Sequence, residues 1–372
     1  MIGQWIGRFT ESGGNNGAAT LNLGVDAAPG RCFACFVQGP GLPPSRIEFS
    51  YQIVGDSFSA KSVEAPKVFD HTRALLVPVY EHPEAKNFTF STDFTVSGKI
   101  VGSHILGTWT GSSGSEGNFD LRNPCAEDSP AATKTLSWVE FKAELASFLN
   151  SCPVERFLFR GHGSNKWHLT TTLHRIGRYD LSRYRQIVVD HLTKAVNSTL
   201  SRKYNMRDPV DFGALISLAQ HHGFPTPLLD WTRSPFVAAY FAFASPAARQ
   251  PGSYARIYRF AAEDWAKRLP QPANVDDPAP AVSIREFEAY DNPRHLPQQS
   301  CHTFTNVADV SAWIAMAAGG HSNDYLTTYD IPNEHRVEAL RELAYMGVTA
   351  SSMFPGLEGL CRGARERFFG HD

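Results

Sequence analysis

Long apolar runs are missing from this 372-residue sequence. No stretch reaches the roughly 18 consecutive apolar residues that a membrane-spanning helix needs, and the start lacks the basic-then-apolar pattern of a secretory signal. The expectation is therefore a cytoplasmic protein without a membrane partner. A bias of charge is missing too. The formal net charge is -2, which argues against a general nucleic-acid or membrane-surface binder but leaves room for a local basic patch. Cysteine is sparse. Six are scattered along the chain, and the one close pair, Cys32 and Cys35, has no second CxxC and no nearby His. Ordinary reduced thiols are expected, and no metal. Signatures of familiar chemistry are also missing: there is no P-loop, no HExxH, no GxSxG and no GxGxxG behind a strand. Walker-type phosphate cradling, zincin chemistry and a serine-hydrolase elbow are all disfavoured.

What is present is ample core material, 42% hydrophobic and 12% aromatic residues, in a chain long enough for two domains or one large one. Residues 1 to about 125 read as all-β. Candidate strands are Gln4–Phe9, Ala18–Leu23, Cys32–Gln38, Arg46–Val54, Ser57–Val63, Asn87–Val96, and Gly107–Thr110 with Asn118–Leu121. Gly-, Asn- and Pro-rich turns separate them, and Arg46 to Ile53 alternates polar and apolar residues. A Gly-x-Trp recurs near both ends, at Gly3-Gln4-Trp5 and Gly107-Thr108-Trp109, which suggests first and last strands meeting to close a barrel. A two-sheet sandwich competes with it. Such a domain would dock a partner protein or hold one small ligand as a sensor, and Trp5 and Trp109 read as core plugs.

Residues 124–135 are polar, Pro-bearing and unpatterned, so the linker is placed there, between a domain at 1–123 and another at 136–372. The second domain opens on a capping box, Ser137 with Glu140. Arg156 to Gly161 reads as a short buried strand. Arg160 at its end is either half of a buried ion pair or an anion clamp. Asp180 to about Lys203 reads as a long amphipathic helix.

The stretch from Ala219 to Ala244 organises the rest. Asp208 and Pro209 start a helix that Gly223 ends, with His221 and His222 in its last turn. Pro225 and Pro227 force extended backbone into Leu228–Trp231, and Ser234 with Pro235 starts a helix that is apolar nearly all round. Asp230, Thr232, Arg233 and Ser234 thus gather where a strand hands over to a buried helix, the usual place for a site. Further on, Tyr254–Phe260 and Asp324–Ile331 read as strands, Asn333 caps a helix, and Gly356 to Phe369 forms a surface helix. The domain is mixed α/β or α+β. His162, His168, His174, His221, His222, His295 and His302 could approach one another. With few carboxylates near them, they read as surface, capping or pocket groups. Asp276 and Asp277, in the Pro-rich loop 270–281, read as solvated.

Several stretches together resemble one bacterial family, the FRG domain: Phe159-Arg160-Gly161, Trp167 to Arg175, Ala219 through Ala242, Arg294 with Gln298-Gln299 ahead of Phe304-Thr305, and Met353 to Gly359. A weaker likeness is to ADP-ribosyltransferases, whose Arg, Ser-Thr-Ser and Glu/Gln elements follow in this order. That resemblance implies NAD as substrate, with Arg160 and Gly161 on the phosphates. It also implies Thr232 and Ser234 as pocket hydrogen-bonders, and Glu288 or Gln298 on the ribose. His222 and Asp230 would orient the substrate or the arginine. The sequence departs from the pattern in having Thr-Arg-Ser for Ser-Thr-Ser, and in offering both Glu286-Phe287-Glu288 and Gln298 for the third element. The expectation is an ADP-ribosyltransferase-like or NAD-hydrolysing effector of a bacterial toxin or phage-defence system, with a protein or nucleic-acid acceptor and a trigger at the β domain. A non-catalytic nucleotide- or protein-binding module is the alternative, and a metal-dependent nuclease the third reading.

Overall fold

The computed structural model describes residues 2–39, 42–83, 90–150, 152–288, 290, 292–319 and 322–369. Its first part contains strands β1 (Gly3–Glu11), β2 (Asn16–Leu23), β3 (Arg31–Val37), β4 (Ser45–Val54), β5 (Ser57–Ser62), β6 (Lys67–Asp70), β7 (Leu75–Pro78), β8 (Phe94–Val101), β9 (His104–Gly111) and β10 (Glu116–Arg122). Eight of them form an unbroken antiparallel ring, β3-β2-β1-β10-β9-β8-β5-β4, and β4 returns to β3 to close it. The barrel stands and the sandwich does not, because no edge is left for a second sheet. The β6–β7 hairpin hangs from β4 outside the ring.

The two Gly-x-Trp segments do not meet in the way their rhyme suggests. Gly107 and Trp109 lie on β9, whereas the strand closing on β1 is β10, with Phe9 opposite Phe119. The Gly/Ser run after Gly111 is a tight hairpin turn, and it adds one more strand before closure. Of the expected strand Asn87–Val96, residues 87–89 lie outside those described, and β8 begins at Phe94. Trp5 is buried in the barrel core, but Trp109 lines a cavity there and is no plug.

The period-two alternation of β3 decides how the barrel meets its neighbour. Cys32 and Ala34 face the barrel core, while Phe33 and Cys35 pack outward against Tyr179 and Ala308. The Cys32 and Cys35 thiols therefore point to opposite sides of the strand and cannot share an ion. Burial pushes both up to about 12. Around this contact Arg46 donates twice to the Asp180 carboxylate, both at 2.8 Å. Gln4 donates to the Asn306 carbonyl at 2.9 Å and accepts from the Ala308 amide at 2.7 Å.

The second sheet comprises β11 (Lys134–Thr135), β12 (Leu158–His162), β13 (Leu228–Thr232), β14 (Tyr254–Phe260), β15 (Val282–Arg285), β16 (Ser300–Thr305) and β17 (Leu326–Pro332), in the order β11-β17-β14-β12-β13-β16-β15. Only the β11–β17 pairing is parallel among the described residues. Helices cover both faces. On one side Trp138, Phe141, Val237, Phe243, Leu340 and Leu343 pack against Phe159 and Tyr329. On the other Trp265, Val310 and Ile314 pack against Leu158, Trp231 and Tyr258. A closed eight-stranded barrel is thus followed by a mixed α/β region.

Local chemistry sets these elements where the sequence has it. Ser137 and Glu140 form the reciprocal capping box, Asp208 accepts from Val210 N at 2.9 Å, and Ser234 accepts from Val237 N at 3.3 Å. The helix expected from Asp180 contains a π-helical turn over Tyr184–Val189. Asp276 and Asp277 are buried, contrary to the solvated reading. Asp276 pairs with Arg185, Asp277 accepts from Ala279 N at 2.9 Å, and both line a cleft shared with Phe33 and Tyr179. A loop rich in Pro and Asp looks like surface in sequence, but here it fills the seam between the domains.

Candidate functional site

The sheet of the second domain is parted at one place. β12 and β13 pair at a single position, Phe159 with Thr232, whereas five pairs join β12 to β14 and five join β13 to β16. The Arg160 side chain occupies this parting. Its Nη1 donates to the Asp230 carbonyl, and its Nε donates to His162 Nε2 at 3.2 Å. Among the described residues no carboxylate forms an ion pair with it. Burial pulls the guanidinium below the usual arginine value; the charge of Asp230 opposes that shift and a second cation, Arg175, adds to it. Arg160 nevertheless keeps part of its surface open to solvent, and Arg175 is exposed.

His162 is neutral here. Burial, then Arg160 and Arg175, hold it well below the usual histidine range, which leaves its Nε2 free to accept from Arg160. The Asp230 carboxylate, 48% exposed, lies 3.5 Å from His302 Nε2 and accepts from Gln220 Nε2. His302 is fully buried, and burial takes it down to about 4 despite Asp230. Beside it, His221 is lowered by burial, and its Nε2 is buried without a hydrogen-bond partner. The parting thus sets two arginines and neutral imidazoles around one accessible carboxylate.

Other residues singled out in sequence have placements of their own. Thr232 Oγ1 accepts from Ser234 N at 3.1 Å, and Ser234 caps the helix Pro235–Ala244, so both hydroxyls shape the strand-to-helix junction. Gly161 faces that helix: a β-carbon there would stand 1.9 Å from the Ala238 carbonyl oxygen. His222 is exposed at the end of its helix. Gln298 donates to the Met353 carbonyl at 2.9 Å, and Arg294 pairs with Glu358 at 3.0 Å, so the last two matched stretches hold each other. Glu288 is exposed, and neither it nor Gln298 bonds to Arg160 or Asp230. His162, Arg175, Gln220, His221 and His302 join Arg160 and Asp230 without having been assigned roles in sequence. Arg175, Gln220 and His221 lay inside matched stretches. His302 could not be placed without β16, which sets it opposite Asp230.

Among the described residues, Cys125, His168 and Asp309 could hold a metal ion, their donor atoms lying within 4.8 Å of one another. Both imidazole nitrogens of His168 are engaged, Nδ1 with Asp309 at 2.7 Å and Nε2 with the Glu127 carbonyl at 3.0 Å. Of the seven histidines considered together, only His168 belongs to this group.

The buried neutral histidines make stability fall on acidification. His174, stacked on Tyr179, is lowered by burial to about 3. An unfolded chain takes up its proton near pH 6.5, whereas the folded one resists until about pH 3 for His174 and about pH 4 for His302. Folded pKa below unfolded pKa means that nothing is lost above about pH 6.5 and that stability declines from there downward. The expected result is a urea midpoint that drops between pH 7 and pH 5, and drops less in His174→Gln. An equal drop in both proteins would show that His174 does not titrate this way.

The fold and the parted sheet define the class: a closed β-barrel joined to a mixed α/β domain whose sheet parts beside Arg160. Residues 155–250 of that second part match the family described as the FRG domain. No curated protein matches the chain. Solved structures similar to it include a redesigned β-barrel, mFAP1, bound to DFHBI. It is 10% identical over 33% of this chain and 94% of that one, at a TM-score of 0.23. Another is a de novo designed fluorescence-activating β-barrel, 14% identical over 33% of this chain and 93% of that one, at a TM-score of 0.20.

Proposed function

We propose that the C-terminal domain binds a nucleotide by its phosphates, NAD in the first place, and transfers or hydrolyses its ADP-ribose. One observation supports the reading above others. Arg160 is sunk into a parting of the sheet, forms no ion pair with a carboxylate among the described residues, feels the charges of both Asp230 and Arg175, and has a neutral histidine as its hydrogen-bond acceptor. A guanidinium so placed lacks a paired anion, and a pyrophosphate offers paired oxygens to its fork. Gly161 and His222 flank the phosphate subsite, and Thr232 with Ser234 shapes its wall. The carboxylate that would stabilise positive charge on the ribose as nicotinamide leaves is Asp230 or Glu288, with Gln298 as a ribose hydrogen-bonder. Breaking the bond from C1′ to the nicotinamide nitrogen sends the electron pair to nicotinamide. Water, or a nucleophile on a protein or nucleic-acid acceptor, then takes the ribosyl carbon. No resident metal is assigned a step. The chain would work in the cytoplasm as the effector of a bacterial toxin or phage-defence system, the barrel serving as sensor or docking module.

The test is nicotinamide release from NAD by the full chain, Arg160→Ala and Arg160→Lys, with circular dichroism showing that all are folded. Wild type is expected to release nicotinamide, and both variants to lose about 100-fold or more, since an ammonium cannot reproduce the fork. If folded wild type leaves NAD intact, with cell lysate present to supply acceptor and activator, the catalytic reading fails. Phosphate-dependent nucleotide binding would then mark a non-catalytic module.

A further inference from the structure

The barrel is hollow at one end. A cavity of about 460 Å³ opens among the loops that follow β1, β3 and β9, while Trp5, Leu23 and Ile105 fill the core. That volume lies in the range of small-molecule sites. The wall is mainly apolar, and Phe36, Phe49, Phe94, Trp109 and Phe119 are among its rings. At the mouth Ser91 bonds to Ser113 at 2.7 Å and to Ser115 at 2.9 Å. Among the described lining residues the ionisable side chains are Glu11 and His82, and none is Lys or Arg.

Trp109 is packed into the wall itself: its indole nitrogen is buried, and opposite it on β10 stands Gly117, where a β-carbon would come within 2.8 Å of that nitrogen. The lumen therefore offers a guest mainly apolar surface.

We propose that this lumen binds an uncharged, mainly apolar molecule with an aromatic ring system. The rings in its wall offer the dispersion and edge contacts that flat rings use. A fatty-acid carboxylate or a nucleotide is disfavoured, because a charged group would be desolvated beside Glu11 with no Lys or Arg among the described lining residues to receive it. The proposal gives chemistry to the sensor reading of the barrel, but binding is measured apart from any turnover of NAD.

The experiment titrates the full chain with Nile red, an uncharged aromatic dye. Expected are one saturable site per chain, a fluorescence increase, and no competition by oleate or NAD. Ala34→Trp should fill the lumen and abolish binding; Ala60→Phe serves the same end if Ala34→Trp does not fold. Absence of saturable binding to wild type, unchanged affinity in the filled variants, or equal competition by oleate would overturn the proposal. None of these results bears on nicotinamide release, so the two readings fail separately.

Discussion

Gly161→Ala is expected to leave little folded C-terminal domain. β12 runs so close beneath the helix Pro235–Ala244 that a methyl group at Gly161 would lie 1.9 Å from the Ala238 carbonyl oxygen and 2.8 Å from the Ala242 amide nitrogen. Both obstacles are backbone, so no rotamer change clears them, and the helix must move by more than an ångström. That helix contributes Val237, Ala238, Ala239, Tyr240, Ala242 and Phe243 to the largest core, which a shift would open. Overpacking of a core costs about 1–3 kcal/mol when side chains can yield. A backbone collision should exceed that, lowering the melting temperature by roughly 10 °C or preventing soluble expression. A melting temperature within about 2 °C of wild type would refute this account of the glycine. The glycine of the triplet is then explained by helix packing, and the arginine beside it by the cleft.

Asp330→Ala should cost about 3–5 kcal/mol, the usual penalty for stranding one charge of a buried pair. Arg256 is 2% exposed and Asp330 5%. Their carboxylate and guanidinium meet at 2.7 and 3.0 Å, and Asn165 adds a bond to Asp330 at 2.8 Å. Arg256 also donates to Ser129 Oγ at 3.0 Å and to the Pro130 carbonyl at 2.7 Å. Removing the carboxylate leaves a buried cation whose remaining partners, in the segment between the domains and on Tyr258, carry no counter-charge. Chemical denaturation gives the loss directly. The pair Arg256→Met with Asp330→Leu should recover much of it, since apolar residues need no counter-charge. A single variant as stable as wild type would mean that water already reaches the arginine.

The barrel strands could be read from the sequence because a half-buried strand writes its period of two into the residues and its turns into Gly, Asn and Pro. The same was true of the caps at Ser137, Asp208 and Ser234, where one side-chain oxygen does the local work. Closure was legible in outline: the rhyme between Gly3-Gln4-Trp5 and Gly107-Thr108-Trp109 pointed to first and last strands meeting, and β1 does pair with β10, although the second Trp lies one strand earlier, on β9. β15 and β16 went unseen. Ser300–Thr305 is buried at every position, so it carries no alternation, and its Ser, Cys, His and Thr content does not announce a core strand. That gap hid His302 and with it half of the surroundings of Asp230. Arg160 was visible as an unusual charge at a strand end, but its lack of a carboxylate partner is a fact of three dimensions. Asp276 and Asp277 misled for the opposite reason, since what buries them comes partly from the barrel.

β3 is a wall shared by two compartments. Ala34 and Phe36 line the lumen, while Phe33 and Cys35, their immediate neighbours, pack against Tyr179. Tyr179 in turn stacks on His174 with ring centroids 5.8 Å apart. A single strand thickness therefore separates the hollow of the barrel from the core contacts of the second domain, so the two parts share an element and do not merely touch.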